Sequence, residues 1–323
     1  MSFKEELVKR KLTMDGALGT ELEELVPRDS PVQPKSSRLW SGMVLLHQPE
    51  LVTQVHQAYV EAGAEALITG TYQISEASLK KNTSLSDQEI IDLWSLSVEV
   101  ACQAAETADH KVFVLGSIGP YATCLADGSE YTGKYGDISV EQLTAYHKPL
   151  ALYLAGDSRV DVLAFETIPN LIECQAILEL LAANKISKSF YISFNFSSTE
   201  LLMDGTPIAK MAEYLTGFLH QHPEVASNFV GIGVNCTEYQ LVESIVENIN
   251  AAISMPLILY PNLGFDYDEV LGEYQTKKNV EKWARLVEKW CSFDNVRVIG
   301  GCCGTAPVDI TAVKKVLDSL PHH

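Results

Sequence analysis

Residues 162–169 run Val-Leu-Ala-Phe-Glu-Thr-Ile-Pro: four apolar side chains in succession, then an acid, a hydroxyl and a proline-terminated turn. A strand with one wet face alternates apolar and polar residues. A run that is apolar throughout needs cover on both faces, as strands of a parallel sheet flanked by helices do. Seven more runs of this kind occupy 12–14, 66–69, 112–117, 190–194, 229–234, 256–260 and 296–299. Longer stretches with helical spacing separate them. In 48–62, Leu51, Val52, Val55, Tyr59 and Val60 share a face and Gly63 can close the helix. Residues 87–105, 171–183, 208–220, 238–252 and 279–290 behave alike. Eight strand–helix units with no linker between them predict a single (β/α)8 TIM-type barrel domain over residues 1–323. A doubly wound open sheet has the same periodicity, and the count of eight favours the barrel.

The composition excludes several function classes. With 42 acidic against 24 basic residues the net charge is −18, which repels nucleic-acid backbones and anionic lipid and mildly favours cationic small molecules. No stretch approaches the ~20 apolar residues needed to span a bilayer. The first ten residues, MSFKEELVKR, lack the apolar core of a secretory signal, so the cytoplasm is the expected compartment. Nothing in the sequence separates a monomer from a small homo-oligomer.

In a reducing compartment the seven cysteines are thiols, not a disulfide framework. Cys102, Cys124, Cys174 and Cys291 stand alone and are expected to be inert packing. Cys236, Cys302 and Cys303 are different, because each falls where a strand ends. The chemistry of such barrels gathers at that end. The sixth strand finishes in Gly233-Val234-Asn235-Cys236 and the eighth in Gly300-Gly301-Cys302-Cys303-Gly304-Thr305. Strands six and eight flank the seventh, so their loops can meet across one mouth. Three thiolates suit Zn²⁺ with a fourth position left open for a substrate. A vicinal disulfide, or simple burial of small residues, would also account for the pair.

Two acids project at the same end: Asp15, before Gly16, and Glu166. Singly, Asp15 is equally a turn former and Glu166 equally a helix N-terminal charge. Together they suit an α-ammonium group, with Thr71, Ser117 and Asn235 as hydrogen-bond donors for a carboxylate. Gly16-Ala17-Leu18-Gly19 and Gly231-Ile232-Gly233 do not form a dinucleotide fingerprint. His220 and His222 fall at a helix end before Pro223, away from the mouth, and are expected on a solvated face.

These segments carry a resemblance. Asp15-Gly16-Ala17-Leu18-Gly19-Thr20-Glu21-Leu22, Glu166-Thr167-Ile168-Pro169, Gly233-Val234-Asn235-Cys236 and Gly300–Thr305 resemble the homocysteine S-methyltransferase family, over residues 12 to about 315. The loop from Gly119 to Tyr131 resembles the subgroup that uses S-methylmethionine. The second strand, Gly70-Thr71-Tyr72-Gln73, departs from the Thr-Asn-Thr-Tyr or Thr-Asn-Thr-Phe common among relatives, and leaves Thr71 and Tyr72 as expected substrate contacts. The resemblance implies that Cys236, Cys302 and Cys303 are zinc ligands and that Asp15 and Glu166 hold the amino group of L-homocysteine. It implies methyl transfer from a sulfonium donor, S-methylmethionine or S-adenosylmethionine, to the homocysteine thiolate, forming methionine. Tyr72, Tyr121 and Tyr131 are candidates for a wall beside the sulfonium. A selenocysteine methyltransferase is the nearest alternative, and a non-catalytic zinc- or thiol-binding barrel a more remote one.

Overall fold

The computed structural model describes residues 1–263, 267–268, 273–274 and 280–320. Eight parallel strands, one for each apolar run, make up the main sheet. They are β1 (Leu12–Thr13), β2 (Ala66–Ile68), β3 (Phe113–Ile118), β4 (Val162–Ile168), β5 (Ser189–Phe194), β6 (Phe229–Glu238), β7 (Leu257–Asn262) and β8 (Val296–Ile299). Each pairs with its neighbour in chain order, and β8 pairs with β1. Between β1 and β2, Asp15 N–H donates to Ala66 O at 3.0 Å and Glu65 N–H to Thr13 O at 2.7 Å. Those bonds complete the circle. The open-sheet alternative is excluded, since an open sheet would leave two unpaired edges.

Strand parity explains the two-layered core, because successive side chains point to opposite faces. Leu12, Met14, Phe113, Leu115, Val162, Ala164, Tyr191, Ile258 and Val298 fill the barrel interior. Their neighbours Leu163, Phe165, Phe190, Ile192, Leu257 and Leu259 face outward into the larger core beneath the helices. The bottom of the barrel is plugged by a helix that the sequence pattern did not disclose, Phe3–Lys9. Its Ser2–Glu5 capping box starts the helix, and Phe3 and Leu7 join the interior cluster. Phe3 meets Phe113 edge-on, with ring centroids 5.3 Å apart.

Two boundaries differ most from the sequence expectation. β6 continues past 234 to Glu238, because Asn235 and Glu238 still pair with Tyr260 and Asn262 across an irregularity. The helix expected from 238 therefore begins at Val242, after a 3-10 turn over Tyr239–Leu241. A long helix over Val140–Gly156 also emerges between β3 and β4. Its internal Pro149 weakens the helical signal, yet Leu143, Tyr146, Leu150 and Leu154 are buried along one side. His220, in the last turn of the helix Ile208–Gln221, is exposed, whereas His222 caps that helix half-buried and stacked on Phe218.

Candidate active site

The inward parity that carries Leu115, Ala164, Tyr191 and Ile258 continues upward to Ser117, Glu166, Ser193 and Tyr260. At the C-terminal ends of the strands the barrel lining thus changes from apolar to polar. Above it lies a cavity of about 140 Å³. Asp15 and Glu166 both line it and are 3% and 5% exposed. Asp15 Oδ2 accepts the Ile68 N–H at 2.9 Å, while Oδ1 has no partner. Glu166 accepts from the Ser117 hydroxyl, and the Tyr260 hydroxyl also stabilises its charge. Neither role weighed for them singly applies: Asp15 bridges to β2, and the helix after Glu166 begins only at Leu171.

Burial governs the charge state of both acids. It pushes Glu166 up to about 7, against the Ser117 and Tyr260 hydrogen bonds that pull it down. It pushes Asp15 well above the usual carboxylate range, the Ile68 N–H lowering it and the nearby Glu166 charge raising it further. Among the described residues, no Lys, Arg or His lines the cavity. Two buried acids without a cation form an incomplete site, and a bound ammonium would complete it.

The three cysteines come together as the strand ends anticipated. Among the described residues they form the one group of His, Cys, Asp or Glu close enough to hold a metal, with all three Sγ within 4.8 Å of one another. Cys236 Sγ and Cys302 Sγ are 2.8 Å apart. Cys236 has φ +46°, a left-handed conformation unusual for a non-glycine residue, which turns its thiol out of the strand. The β8 loop is fixed through its backbone: Gly301 N–H donates to Asp15 O at 3.0 Å and Cys302 N–H to Pro261 O at 2.9 Å. Thr305 Oγ1 donates to Cys302 O at 2.7 Å and accepts the Ala17 N–H at 3.1 Å. A Cβ on Gly301 would lie 2.3 Å from the Thr305 side chain, so only glycine allows this closeness.

Crowding makes the thiols unequal. Hydrogen bonds from Cys236 and Cys302 hold the Cys303 thiol well below its usual range. Hydrogen bonding to Cys302 and Cys303 pushes Cys236 well above it. For Cys302 the bond from Cys236 pulls down, but the bond to Cys303, burial and nearby negative charge outweigh it. Three adjacent thiols that cannot all ionise alone form a donor set that would suit a soft or borderline cation.

The remaining expected residues divide. Tyr72 and Ser117 line the cavity. Asn235 lines it too, but its Oδ1 accepts from Thr167 N–H at 2.9 Å and Ser193 Oγ–H at 2.7 Å, and its Nδ2 donates to Thr167 Oγ1 at 2.8 Å. Thr71 is turned into the scaffold, its hydroxyl donating to Ser117 O at 2.6 Å. Of the aromatic candidates, Tyr131 joins Tyr72 at the cavity, whereas Tyr121 packs edge-on against Tyr135 and Tyr146. No motif argument assigns a role to Trp40, Glu130, Thr167 or Tyr260, which also line the cavity. Inward parity on β7 would have found Tyr260. No spacing rule points to Trp40. Cys174 and Cys291 are buried and Cys102 and Cys124 partly so, all outside the cluster that could hold a metal.

The chain matches known proteins over nearly its whole length. The family described as "Homocysteine S-methyltransferase" matches residues 12–317. A homocysteine S-methyltransferase of Escherichia coli (strain K12) is 36% identical over 310 residues, spanning 94% of each chain. A selenocysteine methyltransferase of Astragalus bisulcatus is 32% identical, spanning 96% of this chain and 93% of its own. The crystal structure of the metallated form of the homocysteine methyltransferase MmuM from Escherichia coli superposes with a TM-score of 0.79 at 34% identity. That match covers 95% of this chain and 96% of the other.

Proposed function

This chain belongs to the homocysteine S-methyltransferase family and is an enzyme of methyl transfer to homocysteine, and from that premise we propose that it uses zinc on Cys236, Cys302 and Cys303 and a sulfonium methyl donor. The observation carrying this reading is that three thiols within 4.8 Å of one another open onto the same cavity as two buried, cation-free carboxylates. A non-catalytic zinc or thiol store would have no use for the carboxylate pair.

The homocysteine ammonium is assigned to Asp15 and Glu166, where it supplies the charge both acids lack. Ser117 holds Glu166 in place, so its oxygen is set before the substrate arrives. Zinc, when bound, supplies Lewis acidity that lets a thiol in the open position ionise near neutral pH instead of near 8.5. The thiolate sulfur forms a bond to the donor methyl carbon. The bond from that carbon to the donor sulfur breaks, and its electron pair stays on the sulfur, which leaves as a neutral sulfide. No proton need be delivered, so no general acid is required. Because opposite charges disappear as the methyl moves, the rings of Tyr72 and Tyr131 suit the donor side better than water would.

With S-methylmethionine the products are two methionines; with S-adenosylmethionine they are methionine and S-adenosylhomocysteine. The decisive experiment measures metal content and methionine formation with homocysteine and each donor, with and without a chelator. Full activity in metal-free protein would end the zinc assignment. The similarity to the Astragalus bisulcatus selenocysteine methyltransferase favours selenocysteine as a second acceptor to test. Side-by-side kinetics with homocysteine and selenocysteine decide which acceptor this chain prefers.

A further inference from the structure

A third carboxylate faces the cavity, and the reaction as derived leaves it unused. Glu130 lies in the 3-10 turn Ser129–Tyr131, on the long connection after β3. Its Oε2 is enclosed yet has no hydrogen-bond partner. An enclosed carboxylate oxygen without a donor is costly to retain unless a ligand completes it.

The loop is braced from several sides, so this carboxylate is positioned by the fold. Asn195, fully buried at the end of β5, donates from Nδ2 to Glu130 O at 2.5 Å. Farther along, Asn170 Nδ2 donates to Gly133 O at 3.1 Å. Beneath the loop, the fully buried Glu173 accepts the Tyr121 N–H and the Tyr135 hydroxyl, each at 2.6 Å, and contacts His147 Nε2 at 2.9 Å. The segment carrying Glu130 and Tyr131 is therefore tied to β5 and to the helix Leu171–Ala183.

Charge balance then indicates what Glu130 meets. Asp15 and Glu166 share one ammonium, that of homocysteine. A third acid on the loop after β3, in a cavity with no described basic lining, calls for a second ammonium. The sulfonium cannot supply the missing hydrogen bond, because it carries no N–H or O–H to donate to Oε2. The donor's other end is free to reach the loop. Resting on the sulfonium-donor reading above, we propose that Glu130 accepts the α-ammonium of the methyl donor and so restricts the site to sulfonium compounds built on an amino acid. S-Methylmethionine and S-adenosylmethionine share this group; dimethylsulfoniopropionate, a sulfonium acid without an amine, lacks it.

The test compares wild-type holoenzyme with Glu130→Gln, which keeps the side-chain shape and removes the charge. Steady-state kinetics with homocysteine and each of the three donors are combined with calorimetric binding of S-methylmethionine alone. A lost charge-assisted hydrogen bond predicts a rise of about tenfold in KM and Kd for S-methylmethionine, with a smaller change in kcat. S-Adenosylmethionine shifts in the same direction if it is also a donor for this enzyme. The preference for S-methylmethionine over dimethylsulfoniopropionate collapses by the same factor, while KM for homocysteine is retained. Equal losses for donors with and without an amine, or a raised KM for homocysteine, would overturn the proposal by showing that Glu130 acts on the fold or on the acceptor. Unchanged constants for S-methylmethionine would overturn it as well. If the wild type transfers methyl from no sulfonium, the donor reading fails and the Glu130 assignment with it. That outcome is distinct from an active wild type whose donor preference is indifferent to Glu130.

Discussion

Asn235 holds Thr167 with both ends of its amide, accepting the Thr167 N–H at 2.9 Å and donating to Thr167 Oγ1 at 2.8 Å. Thr167 follows Glu166 and has φ +57°; Cys236 follows Asn235 and has φ +46°. One amide thus fastens together two left-handed residues on different strands, and with them an acid of the mouth and a thiol of the three-cysteine cluster. Backbone strain of this kind persists where neighbours over-determine it.

Asn235→Ala should therefore be destabilising, because it leaves the buried Thr167 N–H and Ser193 hydroxyl without their acceptor. A loss of about 2–4 kcal/mol is expected for two such orphaned groups. Chemical denaturation measures it. The same variant should raise KM for homocysteine, since Glu166 loses its neighbour's anchor. A stability within 0.5 kcal/mol of wild type, roughly the scatter of surface substitutions, would contradict the bracing role.

Cys302→Ser removes one of three sulfurs and should reduce bound zinc well below one per chain. Methyl transfer should fall by at least about a hundredfold, the upper end of losses seen when even the groups supporting a metal's ligands are removed. Elemental analysis and turnover on the same sample check this. Stoichiometric zinc with full turnover would show that the metal site lies elsewhere.

Glu166 opposes stability at neutral pH. Its carboxyl is raised from near 4.5 to about 7, so below 4.5 the native and unfolded states are both protonated and its unfavourable effect is absent. Stability is lost as pH rises from there through about 7, where the native state still holds a proton that the unfolded chain has released. The full loss is about 3 kcal/mol. Glu166→Gln should make the chelator-treated protein more stable than wild type at pH 8 but not at pH 4.5, while weakening homocysteine binding. Melting curves at the two pH values provide the comparison.

His56 acts in the reverse sense. It is fully buried in the helix Pro49–Glu61, both ring nitrogens lack partners, and burial pushes its pKa down to about 4. Above about 6.5 it is neutral in both states. As pH falls from there towards 4, the unfolded chain takes up a proton that the native state refuses, and stability drops by up to about 3 kcal/mol. His56→Leu should flatten that acid limb of the stability curve. An unchanged pH dependence would show that other groups set it.

Much of the architecture was legible because it rests on local periodicity. Strands covered on both faces must be apolar in succession, and 162–165, 190–194 and 296–299 each became part of a barrel strand. Where a competing signal intervened, the pattern failed. Pro149 obscured the helix Val140–Gly156, and the polar residues Asn235 and Thr237 concealed that β6 continues to Glu238. The helix Phe3–Lys9 is hidden in the sequence because three apolar residues in seven, of which only Phe3 and Leu7 become buried, carry little periodicity until the barrel bottom receives them.

By itself the sequence determined the eight-fold alternation, the family, and which residue types stand at the strand ends. Those properties depend on composition and spacing along the chain. Only the tertiary structure decided that Thr71 turns into the scaffold, that Asn235 spends most of its amide on Thr167 and Ser193, and that Glu130 and Tyr260 reach the cavity. Hydrogen bonds between strands separated by scores of residues set those orientations, and no local pattern encodes them. The convergence of Cys236 with Cys302 and Cys303 combines both levels. Strand-end position predicts the meeting, but the left-handed turn at Cys236 and the backbone locks on Gly301 and Cys302 bring the sulfurs together.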